Sequence, residues 1–158
     1  ESIQTVLQEN PSICLVLDLH RDAAQDDAGN QVRRTVQTPR GEAAQLMLVM
    51  GTGANGQSHP NWRQNLSLAL KLSAQLERQW PGITRPLQLR SSRFNQDLST
   101  GALLVEVGAA GNTRQQALAA AEELAELEEK LPQTVFESFV LEYNTYKKTK
   151  GVVPYGHF

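Results

Sequence analysis

Four ionisable residues follow an apolar run near the start of the chain: Asp18, His20, Arg21 and Asp22, within ICLVLDLHRD at 13–22. Because side chains alternate along a strand, Asp18 and His20 share one face of it. Histidine binds metals or transfers protons near neutral pH, and Asp18 could accept a hydrogen bond that orients a neighbouring group. The alternative is a buried His and Asp that satisfy each other. The stretch therefore predicts either a site at a strand end or an internal polar pair.

A second apolar run, LLVEVG at 103–108, carries Glu106. Burying an unpaired carboxylate is costly unless it finds a partner or its pKa rises. A glutamate with a raised pKa is suited to take a proton from a metal-bound water as a general base. The alternative is an ion pair with an interior arginine. If both runs are central parallel strands, His20 and Glu106 reach the same edge of the sheet and meet in one cleft.

Two further polar clusters could line a site. His59 and Asn61 lie where a glycine-containing loop meets a helix, and Asn95 and Gln96 lie just before the strand of Glu106. The simpler interpretations are helix capping for the first cluster and a turn for the second. The loop at 51–56 has the spacing GxGxxG, but its third glycine does not open a helix, so we do not expect a dinucleotide site.

The hydrophobic pattern predicts the elements that must position these residues. The predicted strands are 12–20, 33–38, 44–51, 86–91 and 102–107, and the predicted helices are 3–10, 60–79 and 112–131. Thr113 and Gln116 have the spacing of a capping box. The apolar helix stripes include Leu70 and Leu118. This order predicts an α/β fold, a mostly parallel sheet sandwiched by helices, with 12–20 fully buried.

The composition is that of a globular protein. With 158 residues and a formal net charge of −2, the chain has no basic field that would indicate a nucleic acid or an anionic membrane as partner. No apolar run is long enough to span a bilayer, and the single cysteine, Cys14, is expected to be buried. Because the chain opens without methionine in a helical pattern, we interpret it as a piece of a longer protein. We expect one domain at 1–130 and a C-terminal extension at 131–158.

In this order, several stretches resemble the stage II sporulation protein P family over about residues 1–130. They are LDLHRDA (17–23), GT (51–52), HPNW (59–62), FNQDL (94–98), LVEVG (104–108) and GNT (111–113). The resemblance implies the fold of the zinc-dependent N-acetylmuramoyl-L-alanine amidases, with His20 as the second zinc-binding histidine and Glu106 as the catalytic glutamate. It implies hydrolysis of the amide between N-acetylmuramic acid and L-alanine in peptidoglycan, and of peptide cross-links, during septum thinning and engulfment.

The resemblance also bears on partners, location and metal. We expect Asp18, Arg21, Asp22 and both polar clusters to bind substrate or support the site. The partners would be peptidoglycan and other engulfment proteins, and the full-length parent would be extracytoplasmic and membrane-anchored at the sporulation septum. The family's other zinc ligands precede the helix at residue 1. We therefore expect this chain alone to bind Zn²⁺ weakly or not at all, and to leave one sheet edge unpaired.

Two other classes of protein fit parts of the pattern. Asp18 and His20 at a strand end also suit a dimetal phosphoesterase, which would need further ligands, and for these the chain offers His59 and His157. A catalytically inactive wall-binding or complex-forming module would not need the carboxylate of Glu106. A phosphatase assay with manganese and a peptidoglycan-release assay would separate these classes.

Overall fold

The computed structural model describes residues 2–130, in which four consecutive strands and then two more lie between helices. The elements are α1 (Ile3–Glu9), β1 (Val16–Asp22), β2 (Thr35–Thr38), β3 (Gly41–Ala44), β4 (Leu46–Gly51), α2 (Trp62–Gln79), β5 (Gln88–Arg90), a 3₁₀ turn (Gln96–Leu98), β6 (Ala102–Ala109) and α3 (Arg114–Lys130). The predicted extension at 131–158 lies outside the described residues. Within the described part, none of the helices is both long and apolar enough to cross a membrane.

The main sheet has four strands in the order β1-β6-β4-β5, and β2 and β3 form a separate hairpin. β1 runs parallel to β6 and β4 parallel to β5, but β4 is antiparallel to β6. The α/β class is confirmed, and the sheet is mixed: among the described residues, two of its three strand pairings are parallel and the central one is antiparallel. The predicted strand at 44–51 corresponds to β4, which begins at Leu46, and Ala44 is the last residue of β3. Gly108 at the end of β6 donates to the Gln45 carbonyl, so β4 starts where β6 ends and runs back beside it.

One face of the sheet packs against α2 and α3 to form the main core. Its strand residues alternate, and its helix residues come from both long helices. They include Leu46, Leu48, Met50, Leu103, Val105, Leu68, Leu72, Leu76, Ala120 and Leu124. α1 buries none of its residues. The predicted sandwich is therefore wrong for the described residues, in which both long helices cover the same face of the sheet.

The opposite face carries a smaller apolar cluster and the polar residues singled out in the sequence. Met47, Val49 and Leu104 are buried there, with Phe94 packed against them. Because side chains alternate along each strand, Asp18, His20 and Glu106 project from this second face. No helix among residues 2–130 contributes to this cluster. The ionisable side chains are thus placed where a ligand can approach the sheet.

β1 lies at the edge of the described sheet, as expected for a strand that lacks a neighbour on one side. It begins at Val16, and its residues are half-buried or exposed, so the prediction of a fully buried strand over 12–20 is wrong. Cys14 precedes the strand and is exposed, contrary to expectation. An apolar run indicates a strand but does not tell how many of its sides other elements cover.

The helix ends follow the sequence signals more closely than the helix faces do. Thr113 Oγ1 accepts from the Gln116 amide at 3.2 Å, and Gln116 Oε1 accepts from the Thr113 amide at 3.0 Å, which confirms the capping box. Leu70 is 55% exposed and Leu118 is 43% exposed, so their predicted burial is wrong. Asn65 is fully buried in α2 instead, because its amide bonds to backbone carbonyls beneath the helix.

Candidate active site

The parallel pairing of β1 and β6 brings the two principal candidates together. His20 lies directly opposite Glu106, and Asp18 lies opposite Leu104. We call the edge of the sheet where β1 and β6 end the upper rim, defined by His20, Asp22 and Glu106. Neighbouring strands are about 5 Å apart, so His20 and Glu106 face the same small volume. The expectation that they share one rim agrees with this register.

A β-bulge in β6 shapes the upper rim. His20 pairs with Glu106, but the next partners are Asp22 and Ala109, so three steps of β6 match two of β1. The extra residue is accommodated at Gly108, whose φ is +75°. A Cβ at this position would lie 2.7 Å from the Ala44 Cβ. Bulges of this kind redirect side chains and often occur beside active sites.

Glu106 is partly buried and carries an unsatisfied charge. Its Oε2 is shielded from solvent and has no hydrogen-bond partner among the described residues. Burial raises the pKa of Glu106, and the nearby Asp22 carboxylate raises it further, while His20 and Arg85 oppose the shift. The predicted alternative, an ion pair with an interior arginine, does not form within the described part of the chain. A carboxylate in this state is suited to exchange protons closer to neutral pH than an ordinary glutamate.

His20 is held by Asp18. The Nε2 atom of His20 lies 3.0 Å from Oδ1 of Asp18, and the two side chains are 47% and 34% exposed. The pairing agrees with the view that Asp18 orients a neighbour, but the exposure of both groups does not fit a buried internal pair. The imidazole therefore faces solvent from a fixed position.

The two residues after His20 make structural contacts. Arg21 donates from Nη2 to the carbonyls of Ala109 and Asn112, at 2.6 and 2.7 Å. Asp22 pairs with Arg85, whose Nη1 lies 2.8 Å from Oδ2 of the carboxylate. Arg85 was not identified from the sequence, because it lies in a short polar stretch with no motif and reaches the rim only through the fold.

The other four sequence candidates lie at the opposite edge, which we call the lower rim: the edge where β4 ends, with Gly51, His59 and Gln96. The antiparallel direction of β4 carries its end away from Glu106. Gln96 bonds to the backbone of β4 twice, accepting from the Gly51 amide and donating to the Val49 carbonyl, each at 2.8 Å. The structure therefore does not bring this cluster together with His20 and Glu106.

The remaining residues of the lower rim form a turn, bond to the backbone or are buried. Asn61 donates to the Asp97 carbonyl at 3.3 Å, and Asn95 occupies a left-handed turn with φ of +59°. His59 is 6% exposed, and neither ring nitrogen has a partner among residues 2–130. Burial lowers the pKa of His59, with a smaller opposing effect of Asp97, which favours the neutral form of the ring. The capping alternative, Ser58 or His59 ahead of Pro60, does not hold, because Asn61 is the residue before α2 and makes no side-chain cap.

The upper rim offers an incomplete set of metal ligands. A catalytic zinc site usually has three protein ligands. Among residues 2–130, no three His, Cys, Asp or Glu side chains are grouped so that they could hold a metal ion. Among the described residues, His20 is the histidine at the upper rim, whereas His59 lies at the lower rim, too far away to bind the same metal ion. The described residues thus supply one suitable nitrogen ligand and do not by themselves fit a catalytic zinc.

Comparisons with known proteins identify the family to which the chain belongs. The family model described as Stage II sporulation protein P (SpoIIP) matches residues 1–127. The stage II sporulation protein P of Bacillus subtilis (strain 168) is 25% identical over 131 residues, 79% of this chain and 30% of that relative. The chain thus spans less than a third of the relative's length, and no solved structure matches it. Because the family model covers most of the chain, this protein belongs to the stage II sporulation protein P family, a family of sporulation proteins.

Proposed function

We propose that this chain is the catalytic region of a peptidoglycan hydrolase. It would cleave the amide between N-acetylmuramic acid and L-alanine, and peptide cross-links as well, in thinning of the sporulation septum and engulfment. The observation that carries the proposal is Glu106, a partly buried carboxylate with an unpaired oxygen and a raised pKa, directly opposite His20. Membership of the sporulation family supports the biological setting.

Glu106 would act as the general base and then as the general acid. It takes a proton from a water molecule as the water oxygen forms a bond to the amide carbonyl carbon. It then gives this proton to the leaving nitrogen as the carbon–nitrogen bond breaks, which yields a carboxylic acid and an amine. The raised pKa helps both steps, because the same group must accept and release a proton near neutral pH.

Zinc is part of the proposal as a cofactor. When bound, it supplies a Lewis acid that polarises a carbonyl and lowers the pKa of water. We propose His20 as one of its ligands, with Asp18 fixing the orientation of the imidazole. Since the described residues do not complete a ligand set, the proton transfers above are assigned to Glu106 alone.

The location and partners are proposals of the same kind. The substrate places the full-length parent outside the cytoplasm, and we propose that it is membrane-anchored at the sporulation septum. Its partners there would be peptidoglycan and the other proteins of engulfment. Detection of a tagged parent at the septum, with its catalytic region accessible to protease from outside the cytoplasm, tests this.

A catalytically inactive wall-binding module is the second candidate. The incomplete ligand set among residues 2–130 favours it. Glu106 argues against it, because a module that only binds has no need of a carboxylate with an unpaired, shielded oxygen. A dimetal phosphoesterase loses support, because His59, its nearest additional ligand in the described residues, lies at the lower rim.

The test is release of muropeptides from purified sacculi by the complete gene product that contains this chain, with zinc present. Glu106→Gln keeps the size of the side chain but cannot take a proton, so release should fall about 10²- to 10⁴-fold while binding to sacculi is retained. Glu9→Gln, an exposed substitution in α1, is the matched control and should release normally.

Unchanged release by Glu106→Gln would remove the catalytic assignment. The products decide the reaction class: new amino-terminal alanine indicates the amidase, and new amino groups within cross-links indicate the endopeptidase. Retained activity of His20→Ala would contradict the role of His20 as a zinc ligand.

A further inference from the structure

A polar groove opens on the second face of the sheet, one strand away from Glu106. Met47 lies in its lining and is the direct cross-strand partner of Glu106. Arg34, Arg85 and Gln88 line it as well. Neighbouring strands are about 5 Å apart, so a ligand bound in this groove would lie next to the amide bond at which Glu106 is proposed to transfer protons.

The groove has an excess of positive charge. Arg85 is 13% exposed and pairs through Nη1 with Asp22, its one ion-pair partner among residues 2–130. Its Nε and Nη2 atoms are shielded from solvent and have no hydrogen-bond partner there. Arg34 is exposed and forms no ion pair in the described part of the chain. Arg34 and Arg85 thus both line the groove, and Asp22 is the one carboxylate that pairs with either of them among residues 2–130.

The unpaired side of the Arg85 guanidinium has a shape that selects among anions. Nε and Nη2 carry two parallel N–H groups in one plane, the arrangement that matches both oxygens of a carboxylate. Because both atoms are shielded from solvent, the side chain must turn toward the groove to bind one. Arg34 adds a second positive charge at the open side, and Met47 adds an apolar surface for the methylene or methyl groups beside the carboxylate. The groove therefore suits an acidic peptide better than a neutral sugar.

We propose that this groove is a subsite for a carboxylate of the peptide portion of the substrate, with Arg85 and Arg34 as its ligands. The inference rests on the proposed function. His20 lies on one side of Glu106 and the groove on the other, so the peptide, which is the leaving group of the amide cleavage, would lie over β4. Glu106 would then stand between the scissile carbonyl and the bound peptide, where the leaving nitrogen must be protonated.

The test is equilibrium binding of two fluorescent probes to the complete gene product. One probe is an N-acetylmuramoyl peptide with free carboxylates, and the other is the same molecule with these carboxylates amidated. Glu106→Gln serves as the background so that neither probe is hydrolysed. We expect the acid to bind about 10- to 100-fold more tightly than the amide, since charge-assisted hydrogen bonds are lost in the amide.

Variants assign this preference to the groove. Arg34→Gln and Arg85→Lys should each reduce the ratio of the two affinities, the second because lysine keeps the charge but loses the paired donors. Arg78→Gln, an exposed substitution on α2, is the matched control and should leave the ratio unchanged. Thermal melts accompany each variant, and Arg34 is exposed enough for its replacement to leave the fold intact.

The outcomes separate the subsite from the function on which it rests. Equal affinity for acid and amide, or a preference that survives in both groove variants, overturns the subsite and leaves the hydrolase proposal standing. Failure to bind either probe counts against both. Loss of the preference in the two groove variants, with the control unchanged, supports the subsite.

Discussion

The two rims of the sheet hold similar types of residue in very different states. At the upper rim, Glu106 and Arg85 carry charges with atoms that no described residue satisfies, and His20 is half exposed. At the lower rim, the amides of Gln96 and Asn65 bond to backbone groups. Asp97 is paired with Arg93 through Oδ2 at 3.1 Å, although its Oδ1 is shielded and has no partner among the described residues.

The lower rim also contains polar atoms without partners, but its main example is a neutral group. Burial lowers the pKa of His59 and so favours its uncharged ring. A shielded neutral ring is a moderate cost to folding, whereas a shielded charge requires a compensating role or a partner. The comparison teaches that the candidate active site differs from the structural cluster in the pairing of its carboxylate: Glu106 has no ion-pair partner among the described residues, whereas Asp97 is paired with Arg93.

Replacement of Gln96 by leucine tests the structural side of this comparison. It would leave the Gly51 amide and the Val49 carbonyl buried without partners, so the free energy of unfolding should fall by about 2–5 kcal/mol. Activity per folded molecule should stay unchanged. Urea denaturation and peptidoglycan release measure the two quantities.

Gln115→Leu, at an exposed position of α3, is the matched control and should leave the stability close to that of the original chain. If Gln96→Leu instead abolished release without a loss of stability, the lower rim would be a second working surface and the comparison would fail.

Gly108→Ala tests the bulge at the upper rim. The new Cβ would meet the Ala44 Cβ at 2.7 Å, and the backbone has a φ of +75°, so we expect a loss of about 1–3 kcal/mol. Release should also fall, because the bulge sets the position of Asp22 relative to Glu106. Gly56→Ala provides a control with a φ of +93° but open space around the Cβ. Gly56→Ala should lower the stability less and leave release unchanged. If both substitutions had equal effects, the bulge at Gly108 would not be what positions the upper rim.

The smallest expected effect is the pH dependence of stability in Glu106→Gln. The pKa of Glu106 is raised in the folded chain, so its protonated form stabilises the fold below the unfolded pKa. This contribution is lost as the pH rises through the folded pKa, where burial and Asp22 oppose the charge. Relative to the original chain, the glutamine variant should therefore gain in melting temperature as the pH increases, and show little difference at acidic pH.

Glu77→Gln should show the opposite trend. Burial alone would raise the pKa of Glu77, but hydrogen bonds from Thr84 and Gly82 lower it. Its stabilising contribution is present above the unfolded pKa and is lost as the pH falls through the folded one. Melting curves of both variants between acidic and weakly alkaline pH measure this contrast, and parallel curves would contradict the environment described for Glu106.

The sequence allowed a correct prediction of the α/β class and of the strands that carry His20 and Glu106. Local signals explain this success, since apolar runs mark strands and the pair of Thr113 and Gln116 marks a helix start. The direction of β4 could not be predicted, because an apolar run is compatible with either direction and only its partners across the sheet decide. That reversal accounts for His59, which follows β4 and so lies at the rim opposite His20 and Glu106; Gln96 lies there because it precedes β6.

Other errors have a similar cause. Leu70 was expected in the core, but Asn65 occupies a buried position because its amide finds carbonyl partners that arrive from a distant turn. Arg85 was missed because its importance depends on Asp22, 63 residues away in the chain. Periodicity describes neighbours along one element, whereas these contacts depend on how elements meet.

The contacts of Arg21 bear on how precisely the upper rim can work. An edge strand tends to fray, and β1 carries His20 only two residues from its end. Arg21 clamps this end to the turn between β6 and α3 through two carbonyls. The proposed reaction depends on the separation between the imidazole of His20 and the carboxylate of Glu106. Arg21 therefore preserves this separation through backbone contacts alone, without a contact to the substrate.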